Sequence, residues 1–260
     1  MRIIRFQYID EEPQFGWVND DEEHKLLGSI EGNPFGNFHR LEAKVPLENV
    51  HLLPPVQPTK IICIGRNYIA HAQEHGAEVP DVPLLFLKPP SAVIGPEEKI
   101  LLPPQSEQVE HEAELALVIR KKGRWIAPYE SMDYLLGFTI GNDITARDLQ
   151  RKDGQWTRAK GFDTFCPIGP WIETEFDPSD ALITCHVNGE MRQMASTRDM
   201  HFSVRQLIAY ASSVMTLEIG DVLFTGTPAG VGQLQPGDML ETAIEGIGTL
   251  RNSIEQDTTI

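Results

Sequence analysis

Cysteine is scarce. Cys63, Cys166 and Cys185 are the only three in 260 residues, and none belongs to a Cys-x-x-Cys. An odd, sparse set excludes a disulfide framework and a thiolate zinc site, and it suits a reducing cytoplasm. Cations are also in the minority: 22 Lys and Arg stand against 38 Asp and Glu, a formal charge of −16. Nucleic acid and anionic membrane surfaces are therefore poor partners, and an anionic substrate needs a metal or local Lys and Arg to receive it. No run reaches about 18 apolar residues, and the segment after Met1 lacks a signal-peptide core, so the expectation is a soluble, cytoplasmic protein. Also missing are tandem repeats, regular βαβ alternation, a GxSxG elbow, an HExxH helix and the Gly-Lys-Ser/Thr ending of a phosphate loop.

What is present is strand texture. The chain is 41% hydrophobic and long enough for a full core. Residues 1–57 read as a small N-terminal domain, with short strand-like segments at 3–8 and 15–18, ending in a stiff Pro-rich connector. Residues 58–260 read as a second, larger domain. Apolar strands are expected at 60–65, 84–90, 165–172, 181–187 and 221–225, and Asn188-Gly189 signals a hairpin. Ser203-x-x-Gln206 opens a helix whose apolar residues Val204, Leu207, Ile208, Ala211, Val214 and Met215 fall at helical spacing. The polar segment 67–75 suits a short exposed helix. The class is a β-rich α+β fold with a closed or sandwich-like sheet.

The chemistry concentrates in carboxylates set into apolar runs. Glu112 and Glu114 stand two apart in His-Glu-Ala-Glu-Leu-Ala-Leu-Val-Ile, so in a strand they share a face. Asp143 closes a second run at 135–144. Like charges this close repel, and the usual remedy is a cation; three carboxylates without cysteine suit Mg²⁺ or Mn²⁺. Glu110 shares the alternation, so a solvated strand face explains the same residues. His71 and Glu74 are one helical turn apart, either a base with its orienting carboxylate or an ordinary exposed pair. Arg147 and Gln150 share a face with Asp143 if a helical turn begins there. Arg147 then pairs with a substrate carboxylate or neutralises Asp148 or a glutamate. Lys160 lies between Trp156 and Phe162, as a site cation or as a surface stem over the indole. The Gly-rich turn 225–232 is either an anion cradle or a plain turn. Cys63 lies in an apolar strand and reads as core.

Taken together, Gly-Arg-Asn-Tyr at 65–68, His-Glu-x-Glu at 111–114, Gly-Asn-Asp-x-Thr-Ala-Arg-Asp at 141–148 and Thr-Gly-Thr-Pro-x-Gly-Val-Gly at 225–232 resemble the fumarylacetoacetate hydrolase superfamily. The resemblance spans about residues 58–250. It implies a mixed β-sheet roll like that family's C-terminal domain, with a small N-terminal domain, and usually a homodimer. It implies Mg²⁺ or Mn²⁺ at Glu112, Glu114 and Asp143, catalytic roles for His71, Glu74 and Lys160, and substrate contacts from Arg66, Tyr68, Arg147, Gln150 and Thr227. Glu110 falls outside the pattern and reads as solvated or as support for the ligands. The implied substrates are small 2-oxo acids, and the leading expectation is hydrolysis of a C–C bond in an acylpyruvate. Oxaloacetate decarboxylation and isomerisation of a 2-hydroxyhepta-2,4-diene-1,7-dioate are the alternatives, in aromatic catabolism or dicarbonyl clean-up. A non-catalytic, metal-dependent oxo-acid binder is the reading of another class.

Overall fold

The computed structural model describes residues 1–9, 11–20, 25–74 and 76–258. Its centre is the pair of apolar runs that carry the carboxylates. Strand Ala113–Ile119 pairs antiparallel with Leu135–Asn142 on one side and with Val222–Phe224 on the other. Both runs are buried along their whole length. Leu115, Leu117 and Ile119 pack into one core, and the alternating Ala116 and Val118 into another. A strand covered on both faces reads as a continuous apolar run, which is why these two stand out in the sequence.

From this centre the large sheet extends both ways. On one side come Cys166–Glu173 and then Arg2–Gln7, Gln14–Asp20, Lys25–Gly32 and Phe38–Arg40; on the other come Ile61–Gly65 and Leu84–Lys88. The leading strands continue this sheet because Arg2 and Ile3 pair with Glu173 and Ile172. The pairing of Val222–Phe224 with Ile61–Gly65 is parallel, so the sheet is mixed. A five-stranded sheet, in the order Ile100–Leu102, Gly248–Gln256, Met239–Ile244, Leu182–Val187 and Glu190–Ser196, packs behind the centre. Its hairpin turns at Asn188 and Gly189, both at positive φ, as the dipeptide predicts. A small sheet sets Val109–His111 between Thr145–Ala146 and Gly232–Gln233. The fold is the β-rich α+β roll expected.

The helix Val204–Val214 begins at the Ser203–Gln206 capping box and buries Val204, Leu207, Ile208 and Ala211. The short helix expected at 67–75 forms as Ile69–Glu74, but it is not wholly exposed: His71 and Ala72 turn inward and are buried. His75 lies outside the described residues. None of the described helices is long and apolar enough to cross a membrane.

Candidate active site

Glu112 is not inside a strand. It occupies the break between Val109–His111 and Ala113–Ile119. Its backbone is taken up instead by the neighbouring run: Glu112 N donates to Asn142 Oδ1 (2.8 Å), and Asp143 N donates to Glu112 O (2.9 Å). This exchange draws Asp143 against the glutamates. Glu112, Glu114 and Asp143 are all buried, and each offers an oxygen within 4.8 Å of the others.

Cations surround the trio. Lys160, on the short helix Thr157–Lys160, donates to Glu112 Oε2 (2.8 Å) and Asp143 Oδ2 (2.7 Å). Lys88, wholly buried at the end of its strand, donates to Asp143 Oδ1 (2.5 Å) and Ile144 O (3.1 Å). Arg147, at the start of helix Arg147–Asp153, reaches Glu112 Oε1 (2.5 Å), Glu110 Oε2 (2.7 Å) and Gln150 Oε1 (2.7 Å). Of the two readings of Glu110, the solvated one is wrong: the residue is buried and paired. The exposed reading of Lys160 fails likewise, for its side chain is buried and its ammonium lies 5.0 Å from the Phe86 ring centroid and 6.0 Å from that of Trp156. Phe162, the second aromatic expected there, packs on Phe165 instead.

The charges do not balance. Four buried carboxylates (Glu110, Glu112, Glu114, Asp143) meet three cations (Lys88, Arg147, Lys160). Burial raises the Glu112 carboxyl, but Lys160 and Arg147 outweigh it and hold the group well below the usual carboxylate range. Glu114 has one donor among the described residues, Gly226 N at 2.6 Å, and burial together with Asp143 and Glu112 pushes its carboxyl well above that range. Lys160 is raised, because Asp143 and Glu112 outweigh its burial. Adding a divalent cation turns the surplus negative charge into a positive one. An all-oxygen, buried trio of this kind fits a hard divalent ion.

A cavity of about 280 Å³ opens over the trio. Arg66, His71, Glu112, Glu114, Arg147, Gln150, Lys160 and Thr227 line it, with Phe86, Trp156 and Arg151. Of the residues expected at the site, three lie off this surface. Asp143, the third acid of the trio, is fully buried and does not reach the cavity wall. Tyr68 is buried beside it and lines the neighbouring groove. Glu74 is on the outer side of the short helix, with its Oε2 3.5 Å from His71 Nδ1. Glu74 also accepts from Gly230 N at 3.1 and 3.2 Å.

The Gly-rich turn therefore cradles anions, but they are the protein's own carboxylates, Glu114 at Gly226 and Glu74 at Gly230. Both glycines have positive φ, and a Cβ at Gly230 would meet Arg192 O at 2.1 Å, so the turn requires glycine there. Asn67 ties the turn to the Gly-Arg-Asn-Tyr segment through Thr225 O (2.7 Å). The thiols play no nucleophilic part: all three are buried, and burial pushes Cys166 and Cys185 up to about 12 and Cys63 well above the usual thiol range. Sequence reasoning missed Lys88, Asn142 and Gln193. A lone lysine closing the apolar strand Leu84–Lys88 was the available signal for the first; Gln193 had none.

Comparison with known proteins follows the same lines. The profile described as fumarylacetoacetate (FAA) hydrolase C-terminal matches residues 60–255, and one described as Rv2993c-like, N-terminal, matches residues 1–55. The chain belongs to the fumarylacetoacetate hydrolase family. It is 54% identical over 202 residues to an uncharacterised protein of Methanocaldococcus jannaschii, covering 78% of this chain and 85% of that one. It is 43% identical over 222 residues to the mitochondrial oxaloacetate tautomerase Fahd2a of Rattus norvegicus, covering 81% and 71%. The crystal structure of the 2-hydroxyhepta-2,4-diene-1,7-dioate isomerase of Mycobacterium marinum superposes with a TM-score of 0.92 at 40% identity, covering all of both chains.

Proposed function

We propose that this chain is a Mg²⁺- or Mn²⁺-dependent enzyme acting on small 2-oxo acids, and that its reaction is hydrolysis of a C–C bond in an acylpyruvate. The observation that carries the reading is the buried Glu112–Glu114–Asp143 trio, whose two glutamates line a cavity with His71 and Lys160 in its wall. Residues 58–260 form the catalytic unit and residues 1–57 a small leading unit. The working form is a homodimer, on the family resemblance, and three free buried thiols support a cytoplasmic location.

Bound at the trio, the ion supplies positive charge that polarises a 2-oxo group and favours its enol form. The other steps belong to the chain. Arg147 and Gln150, joined to each other, orient the substrate's oxygens, and Arg66 and Tyr68 complete its contacts. Lys160 offers its proton side to negative charge developing next to Glu112. Thr227 Oγ1 donates to Ala113 O at 2.9 Å, so a substrate carboxylate that engages this hydroxyl displaces that bond. His71, oriented by Glu74, takes a proton from water, whose oxygen bonds to the distal carbonyl carbon. The C–C bond then breaks, its electron pair stays on the pyruvate fragment as an enolate, and protonation gives pyruvate and a carboxylic acid.

One observation favours a second reading within the same site. Glu74 is shared between His71 and Gly230 N, and a base that only shuttles a proton on and off carbon needs no activated water. Tautomerisation or isomerisation of a 2-oxo dicarboxylate then replaces hydrolysis, in keeping with the activities named for the rat and Mycobacterium marinum relatives. Pyruvate release from acetylpyruvate and from oxaloacetate, each with Mg²⁺ and with excess chelator, separates them. Metal-dependent release from acetylpyruvate supports hydrolysis, and release from oxaloacetate alone indicates decarboxylation. Metal-dependent loss of the oxaloacetate enol absorbance without pyruvate release indicates tautomerisation, and binding without any turnover indicates an oxo-acid sensor.

A further inference from the structure

We propose that Gln193 is a positioning residue: its carboxamide closes a hydrogen-bonded ring that fixes the peptide between Glu112 and Glu114 against Thr227. The inference rests on the metal reading of the acidic trio.

Gln193 is out of keeping with its surroundings. Strand Glu190–Ser196 is exposed or half-buried at every other position, yet Gln193 is 1% exposed. It points through the hairpin into the back of the site and uses its whole bonding capacity there. Nε2 donates to Thr227 Oγ1 and to Pro228 O, both at 2.8 Å. Oε1 accepts from Ala113 N at 3.1 Å and lies 3.1 Å from His111 Nδ1. The amide can face only one way, because Ala113 N–H only donates and Pro228 O only accepts. His111 Nδ1 must then carry its proton, and Nε2 is a buried atom with no hydrogen-bond partner among the described residues.

These bonds form a closed circuit. Ala113 N donates to Gln193, Gln193 donates to Thr227, and Thr227 Oγ1 donates back to Ala113 O. Both peptide groups of Ala113, the residue between two of the three acids, are held by one side chain of the hairpin and one of the Gly-rich turn. The hairpin backbone is pressed on the same turn, since no Cβ fits between Gly230 and Arg192 O. A displaced Gln193 therefore moves Glu112 and Glu114 relative to Thr227. Satisfying buried polar groups needs no such ring; setting the spacing between acids and turn does.

The test uses the full chain and Mn²⁺ as probe. Gln193→Met keeps the volume and removes all four contacts. Asn252→Leu is the control: Asn252 is buried in the same five-stranded sheet, donates to Gly95 O and Glu98 O, and does not line the cavity. Removing a group that orients metal ligands weakens metal binding about 10- to 100-fold. Calorimetric titration is expected to show that loss for Gln193→Met and a change under about twofold for Asn252→Leu, although both unfold at lower temperature. If Gln193→Met fails to fold, Thr227→Val opens the ring at its other corner and is read in the same way. The double variant should bind Mn²⁺ no more weakly than the worse single one, since the two share one circuit. Wild-type affinity in Gln193→Met, an equal loss in Asn252→Leu, or additive losses in the double variant overturn the proposal. If the wild type binds no Mn²⁺, the metal reading fails by itself, and ¹⁵N spectra of labelled histidine decide the ring. A single Nδ1–H tautomer of His111 that is lost in Gln193→Met upholds it, and an unchanged spectrum overturns it.

Discussion

Two buried acids lie near opposite ends of one strand, and their surroundings differ. Asp221 precedes Val222–Phe224 and is fully buried. It accepts from Thr59 Oγ1 (2.6 Å), Lys60 N (3.2 Å), Glu218 N (2.7 Å) and the Lys60 ammonium. Glu114, at the other end, meets two further carboxylates and has, among the described residues, the single donor Gly226 N. A buried charge supplied with donors on every side is finished as structure. One left short of donors among like charges needs a proton or a bound cation to relieve it, and that difference marks the site.

The comparison can be broken most sharply at the trio. Glu112→Ala is expected to abolish Mn²⁺ binding and all turnover, measured by calorimetry and by pyruvate release, whereas Asp221→Asn should leave Mn²⁺ affinity unchanged. Asp221→Ala should instead cost about 3 kcal/mol in urea unfolding, because it strands Lys60 and three other donors. Lys88→Met falls between the two. It leaves Asp143 Oδ1 buried without its ammonium, so the metal-free chain should lose about 3 kcal/mol, and the Mn²⁺-loaded chain distinctly less, by the same urea measurement.

The pH dependence sharpens the contrast further. Glu114 has its folded pKa raised, so the stability it lends is complete below the ordinary carboxylate range and is lost as pH rises through the raised value. Glu112 has its folded pKa lowered, so its contribution is present above that range and is lost as pH falls below it. The metal-free chain should therefore lose stability with rising pH, by at most about 1.4 kcal/mol per pH unit for one proton. Glu114→Gln should flatten that slope, and so should saturating Mn²⁺. Smallest of all, Lys99→Ala opens an exposed pair with Glu255 and should shift unfolding by less than about 0.5 kcal/mol.

Much of the site was legible because its motifs are local. Glu112, Glu114 and Asp143 interrupt apolar runs, and polar residues in such runs are visible without a structure. The apolar strands at 60–65, 165–172 and 181–187 were legible for the same reason, and so were the Asn188-Gly189 turn and the Ser203 cap, but the more polar Lys25–Gly32, Glu190–Ser196, Met239–Ile244 and Gly248–Gln256 were not. The remaining contacts join residues far apart in the chain. Lys88 meets Asp143 across 55 residues, and Gln193 meets Ala113 across 80. Only the sheet order brings those pairs together, and no periodicity records it. Glu110 shows the limit in another way: alternation marked it as a possible solvated face, and the ion pair with Arg147, from a segment 37 residues on, buries it.

The most direct measurement is a Mn²⁺ titration of the chelator-treated chain, followed together by calorimetry and by turnover of acetylpyruvate and oxaloacetate. A single ion per chain, restoring activity in step with binding and absent in Glu112→Ala, is the predicted result. Full activity in chelator, or the same Mn²⁺ binding in Glu112→Ala, would contradict a metal centre built on Glu112, Glu114 and Asp143.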